Sequence, residues 1–241
     1  MSWDMRKMKA ITIIGPNGVG KTAIAFELAR RLGGEVINLD KIYLFKYFPI
    51  SSGLSDTLRE KDIQIHLYEL LEPDQDIIPG NVYAEMVREK CEEIEKRNAL
   101  PIIEGGSTTY FPPFHEMNRR TNLSKIFGLK FPANFDVAGK IKRRIEFALK
   151  EGLLEEVKQN LPKYRDTLIM KDGHAVVPLV KYLDGEIDFE TAKSEIAGRG
   201  IKYIERQMEL FSRYPDIMWL EHESSLLPQT VEKIINIHTS A

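Results

Sequence analysis

The 241-residue chain has a single cysteine, Cys91, so no disulfide forms within it and no thiol cluster holds zinc. It lacks long apolar runs: the stretch 10–14 near the N-terminus is too short for a signal-peptide core or a bilayer span. It lacks an excess of either charge. Lys plus Arg number 34 and Asp plus Glu 36, a net charge of −2, which gives no general attraction to nucleic acid or to an anionic membrane. It also lacks internal repeats and low-complexity tracts. What is present is a globular balance, 43% hydrophobic and 29% charged, in a chain long enough to bury a core without cross-links. These features predict a cytoplasmic protein with no membrane partner.

Charge is uneven along the chain. Residues 60–104 carry twelve acids against five bases, and residues 114–150 nine bases against three acids. Charge counting alone favours solvated helix faces for both, while the basic stretch is also suited to an anionic ligand. Apolar patterning predicts short buried strands at 9–14, 35–39, 100–104, 126–131 and 217–220. It predicts helices over 21–32, 81–98, 138–152, 153–161 and 188–211, with Gly33-Gly34 stopping the first. Pro49, Ser51, Ser52 and Gly53 mark 41–62 as loop with short helical pieces. Strands alternating with helices predict an α/β fold: a P-loop NTPase-like parallel sheet with helices on both faces and a small C-terminal helical part. The expected division is a core at 1–130, a helical part at 131–215 completing the site, and a last strand and helix at 216–241 returning to the core.

Gly15-Pro16-Asn17-Gly18-Val19-Gly20-Lys21-Thr22 fits G-x-x-x-x-G-K-[ST] in full, with a strand before it and a helix after it. Glycines let backbone N–H groups wrap an anion at a helix N-terminus. Lys21, expected in an exposed phosphate pocket, adds a charge, and the Thr22 hydroxyl suits Mg²⁺ bound to the same phosphates. The motif specifies polyphosphate without saying which. Asp40 follows the second strand, at the edge where ligands of open α/β sheets bind. It fits a general base, a Mg²⁺ partner or a helix cap. Glu104 ends the third strand and fits either a metal-side acid or a carboxylate satisfied by the Gly105-Gly106 backbone. Asp172, before Gly173, fits a turn.

Together with GPNGVGKTAIAFELARRLGGEVINLD at 15–40, the segments LPIIEGGSTTYF at 100–111, IFGLKFPANFDVAGKIKRRIEFALKEGLLEEV at 126–157, KYLDGEIDFETAKSEI at 181–196 and IKYIERQMELFSRYPDIMWLE at 201–221 cover most of the chain. In this order they resemble the isopentenyltransferases that prenylate adenine: tRNA dimethylallyltransferase and, more closely, the short adenylate isopentenyltransferases of cytokinin synthesis. The resemblance implies that Gly15, Asn17, Gly18, Val19, Gly20, Lys21 and Thr22 hold the diphosphate of dimethylallyl diphosphate with Mg²⁺, joined by Arg144 and Arg206. It implies that Asp40 takes a proton from the adenine N6 amine, and that Ser107, Asp172 and Tyr203 also meet the acceptor. Two positions depart from the family's pattern. Tyr43 stands where the family has Gln, and the family's Gly-Tyr-Arg reads Gly173-His174-Ala175. The long insertion by which the tRNA enzymes grip the anticodon arm is missing, with only 112–125 between the third and fourth long strands. The implied acceptor is therefore a free adenine nucleotide such as AMP rather than tRNA. The alternatives are a tRNA enzyme, a small-molecule P-loop kinase using arginines such as Arg143, Arg144 and Arg199, and a nucleotide-binding relative that does no chemistry.

Overall fold

The computed structural model describes residues 9–54 and 62–240. Six parallel strands form one sheet: β1 (Ala10–Ile14), β2 (Gly34–Asn38), β3 (Ile65–His66), β4 (Leu100–Gly105), β5 (Ser124–Lys130) and β6 (Met218–Glu221), in the order β3-β2-β4-β1-β5-β6. All residues of the neighbouring β1 and β4 are buried, as expected of strands covered on both faces.

On one face lie α1 (Lys21–Leu32) and, from the end of the chain, α10 (Leu227–Thr239). Ile24 and Leu28 of α1 and Val231 and Ile234 of α10 pack in one apolar cluster with Ile11, Ile13, Val36 and Ile102 of the sheet. Helix α1 ends where Gly33 enters the left-handed region and donates its N–H to the Ala29 carbonyl.

The opposite face is covered by α3 (Gly80–Lys96) and α4 (Phe111–Thr121), after a single short turn α2 (Pro49–Ser52). Tyr83, Val87, Cys91 and Ile94 of α3 meet Phe111 and Phe114 of α4 over Ile14, Ile37, Ile103 and Ile126. The same cluster continues into α5 (Val137–Lys150), α6 (Leu153–Tyr164), α7 (Leu168–Asp172), α8 (Val176–Leu183) and α9 (Phe189–Phe211). Asp136 and Asp188 cap α5 and α9, accepting the N–H groups of Gly139 and Thr191 at 2.8 and 2.7 Å.

The long strands and helices fall within two or three residues of the pattern-based expectation. The connection at 112–125 does not: it folds as α4, because Pro112 and Pro113 occupy the first helical turn, where a missing N–H costs nothing. Strand β3 and helices α7 and α8 are further additions. Part of the expected loop at 41–62 lies outside the described residues. Five of the twelve acids at 60–104 lie on α3, where Arg88 bridges Glu85 and Glu92, so the solvated-face reading holds there. No helix among the described residues is long and apolar enough to cross a membrane.

Candidate active site

The carboxyl ends of the strands share one edge, and the chemistry-bearing residues gather there. The loop after β1 reaches α1 through Gly20, whose φ of +112° disfavours any other residue. A Cβ on Gly20 would stand 2.8 Å from Nε2 of His222, a buried side chain just beyond β6 whose Nδ1 pairs with Thr230 Oγ1 at 3.0 Å. The P-loop therefore has a close-packed wall behind it. From α9, Gln207 ties the loop from another side. Its Oε1 accepts the Asn17 N–H at 2.8 Å, and its Nε2 donates to the Gly106 carbonyl at 2.7 Å and to Asn17 Oδ1 at 3.2 Å.

Lys21 is not exposed, as the sequence led us to expect; it is 8% accessible, with Nζ donating to the Pro16 carbonyl at 3.1 Å. Burial lowers its pKa, and Glu104 and Asp40 oppose that shift. Arg144 is exposed on α5, and its guanidinium lies over Gly53 and within 3.4 Å of where a Cβ would stand on Gly18. It thus lies at the mouth of the P-loop, drawn from the basic stretch. Arg206 does not. It is exposed, next along α9 to the residue that faces the P-loop, and it acts electrostatically on His174 instead.

Glu104, fully buried at the end of β4, accepts the Tyr68 hydroxyl at 3.1 Å and lies 3.4 Å from Thr22 Oγ1. Burial pushes its pKa up to about 7, with Lys21 holding it down and Asp40 raising it further. Among the described residues no group of three or more His, Cys, Asp or Glu could hold a metal by itself. One hydroxyl beside one carboxylate at a phosphate loop is nevertheless a donor set that fits Mg²⁺, which takes few protein ligands and shares phosphate oxygens.

Asp40 lies two residues beyond β2. Asn38 fixes its backbone on both sides: Oδ1 accepts the Asp40 N–H at 2.6 Å and Nδ2 donates to the Asp40 carbonyl at 3.0 Å. The carboxylate accepts N–H groups from Ile42 at 3.2 Å and Gly106 at 3.3 Å, so it shapes the turn, although the cap position of the short helical turn at Ile42–Leu44 is Lys41. Burial raises its pKa, and Lys21 is the strongest influence opposing that shift.

Of the other expected acceptor contacts, Ser107 is occupied locally, its hydroxyl accepting the Thr109 and Tyr110 N–H groups at 3.2 and 3.1 Å. Burial raises the pKa of Tyr203, with the charge of Asp40 adding to that shift and Thr108 opposing it, and its ring packs on His174 with centroids 4.3 Å apart. Asp172 is exposed at the end of α7, its carbonyl accepting from Arg199 Nη2 at 3.3 Å. Lys41, Arg199 and Arg206 all act on His174, and Arg199 Nε is buried without a partner. Sequence reading did not single out Asn38, Gln207, His222, Tyr68 or Lys41; the roles of Gln207, His222 and Tyr68 come from chain crossings that no spacing pattern marks, while Asn38 holds Asp40 locally, two residues along the chain.

The Glu104 environment has a measurable consequence. A carboxyl with an ordinary value of 4.5 and a folded value of about 7 binds more protons folded than unfolded between those values. Stability of the ligand-free, Mg²⁺-free protein therefore falls as pH rises through that window. Glu104→Gln flattens this slope in thermal melts taken from pH 5 to 8, and raises the melting temperature at pH 8. A slope unchanged by the substitution overturns the assignment.

A parallel sheet with a P-loop after its central strand, a lysine and a threonine at its rim, and carboxylates on the adjacent strands defines an enzyme acting on a phosphorylated substrate. The family model for IPP transferase matches residues 43–122 and 112–214, and the chain belongs to that family of prenyltransferases, whose reaction is dimethylallyl transfer. A tRNA dimethylallyltransferase of Alkaliphilus metalliredigens is 24% identical over 302 aligned positions, covering 95% of this chain and 96% of the relative. Adenylate isopentenyltransferase 7, mitochondrial, of Arabidopsis thaliana is 26% identical over 211 positions, covering 86% of this chain and 64% of the relative. The solved structure of a tRNA delta(2)-isopentenylpyrophosphate transferase from Staphylococcus epidermidis shares the fold, with a TM-score of 0.84 at 18% identity over 96% of this chain and 98% of that one.

Proposed function

We propose that the chain transfers the dimethylallyl group of dimethylallyl diphosphate to the N6 amine of a free adenine nucleotide, with AMP the simplest acceptor. The observation that carries this reading is the connection from β4 to β5. Where the resemblance places the anticodon-gripping insertion of the tRNA enzymes, there is one 11-residue helix, α4, with Phe111, Phe114 and Met117 buried against the sheet. Most of the similar relatives are tRNA dimethylallyltransferases, and what supports the nucleotide reading is the length of two alignments. That with the Alkaliphilus tRNA enzyme is longer than this whole chain, whereas that with the Arabidopsis adenylate enzyme is scarcely longer than the residues it covers.

The P-loop and Lys21 would receive the diphosphate, with Arg144 closing over it. Mg²⁺ would be held by Thr22 and Glu104 and would supply charge neutralisation of the leaving group. The carbon–oxygen bond at the allylic C1 breaks with its electron pair going to the diphosphate. The N6 lone pair forms the new bond to C1, and the N6 proton passes to Asp40. The exocyclic amine is a weak nucleophile, so a base positioned to take that proton helps bond formation. Preorganised N–H donors and cations at the departing charge supply the larger share. Lys41, Arg199 and Arg206, gathered around His174 beside Tyr203, would meet the acceptor's phosphate.

Mass spectrometry of a reaction with dimethylallyl diphosphate, Mg²⁺, mixed adenine nucleotides and unmodified tRNA tests the reading. The expected product is prenylated nucleotide. Prenylated adenosine in the tRNA, or phosphoryl transfer from ATP in place of prenylation, overturns it.

A further inference from the structure

Tyr43 is drawn into the centre of the site by both of its ends. Its hydroxyl feels Thr22, on the diphosphate side, together with the charges of Glu104 and Asp40, while its backbone lies three residues from Asp40, on the side that takes the proton. Its ring stacks on that of Tyr68, with centroids 5.9 Å apart and planes 24° from parallel. The Tyr68 hydroxyl is bonded to Glu104, which in turn meets Thr22, so the Tyr43–Tyr68 stack is tied through Glu104 to the P-loop threonine. Tyr43 is only half-buried, which leaves part of the stack open to a ligand.

A reacting allylic carbon must lie between its leaving diphosphate and the amine whose proton goes to Asp40. Tyr43, within electrostatic reach of Thr22, Glu104 and Asp40 and stacked on Tyr68, is set beside that interval. As the bond to diphosphate breaks, positive charge develops over the allyl group, and an aromatic face attracts such charge through its quadrupole. We propose that Tyr43 is a catalytic residue of dimethylallyl transfer, its ring face stabilising the cation that develops at the allylic carbon while Tyr68 backs it. The bond broken is C1–O, with its electron pair leaving on the diphosphate. The cation is then captured by the N6 lone pair of the acceptor, or by water when no acceptor is bound.

The placement of diphosphate and amine rests on the proposed function, so the readout is chosen to be independent of the acceptor: the rate of diphosphate release from dimethylallyl diphosphate and Mg²⁺, to AMP or to water. Tyr43→Phe removes only the hydroxyl and sets the reference rate. Phenylalanines carrying successive ring fluorines at position 43 keep shape and packing while draining the ring face of charge. The expected result is a stepwise fall in kcat with each fluorine, at little changed donor KM, and a loss of about 10-fold for Tyr43→Leu relative to Tyr43→Phe. Thermal melts of the fluorinated series should coincide, which separates the effect from folding. A kcat that is flat across the fluorine series, or a loss confined to donor KM, overturns the proposal. Release of diphosphate with fluorine dependence but without prenylated nucleotide retains it and rejects the nucleotide acceptor.

Discussion

Lys21→Met is expected to lower turnover by about 10³-fold or more, since loss of a single preorganised donor at a developing charge already costs about 10²–10³. Methionine is the appropriate replacement because Lys21 is buried, with Nζ reaching towards Gly106, and alanine would leave the space of its stem empty. The substitution does more than remove a phosphate contact. Lys21 is the strongest charge opposing the burial-driven rise in the pKa of both Asp40 and Glu104, so without it both carboxyls titrate at higher pH. The residual activity of Lys21→Met should therefore rise with pH further into the alkaline range than that of the unmodified protein. Steady-state kinetics against pH, beside a thermal melt, measures both effects. Near-normal turnover would mean that the P-loop does not hold the diphosphate.

The coupling of Lys21, Asp40 and Glu104 was not legible in the sequence, although each residue was. Period and turn chemistry mark Gly15–Thr22 because that motif is contiguous, and they mark Asp40 and Glu104 because each follows a buried strand. What they do not carry is the lateral order of the strands. Only the pairing of β4 with β1 on one side and β2 on the other brings Glu104 between Thr22 and Asp40. The same reason hides Gln207, 190 residues from Asn17 along the chain. The expectation of an exposed Lys21 failed for a related reason. Lysine is rarely buried without partners, and its partners are supplied by other strands. The structure places Arg144 at the loop mouth and Arg206 away from it, because neighbouring positions on a helix point about 100° apart and Gln207 takes the inward direction.

Asp40→Asn separates the base from the turn-maker. The carboxylate holds the Ile42 and Gly106 N–H groups, and asparagine can keep one of these through its oxygen while its amide nitrogen faces the other. The structural loss is thus a single hydrogen bond, worth about 1 kcal/mol, partly offset because a buried charge has gone. A base contributes about 10²–10⁴-fold to rate. The two readings therefore predict different outcomes. If Asp40 only shapes the turn, turnover measured well below the melting temperature stays close to that of the unmodified protein. If it takes the N6 proton, turnover falls by about 10²–10⁴-fold while donor KM changes little, because Lys21 and the P-loop remain in place. Donor binding also prepares the base. When the diphosphate draws Lys21 towards itself, Asp40 loses part of the influence that restrains its pKa, and it becomes a stronger base as the amine arrives. Steady-state kinetics at saturating dimethylallyl diphosphate, beside a thermal melt, separates the two readings, and an unimpaired rate in Asp40→Asn would remove Asp40 from the mechanism.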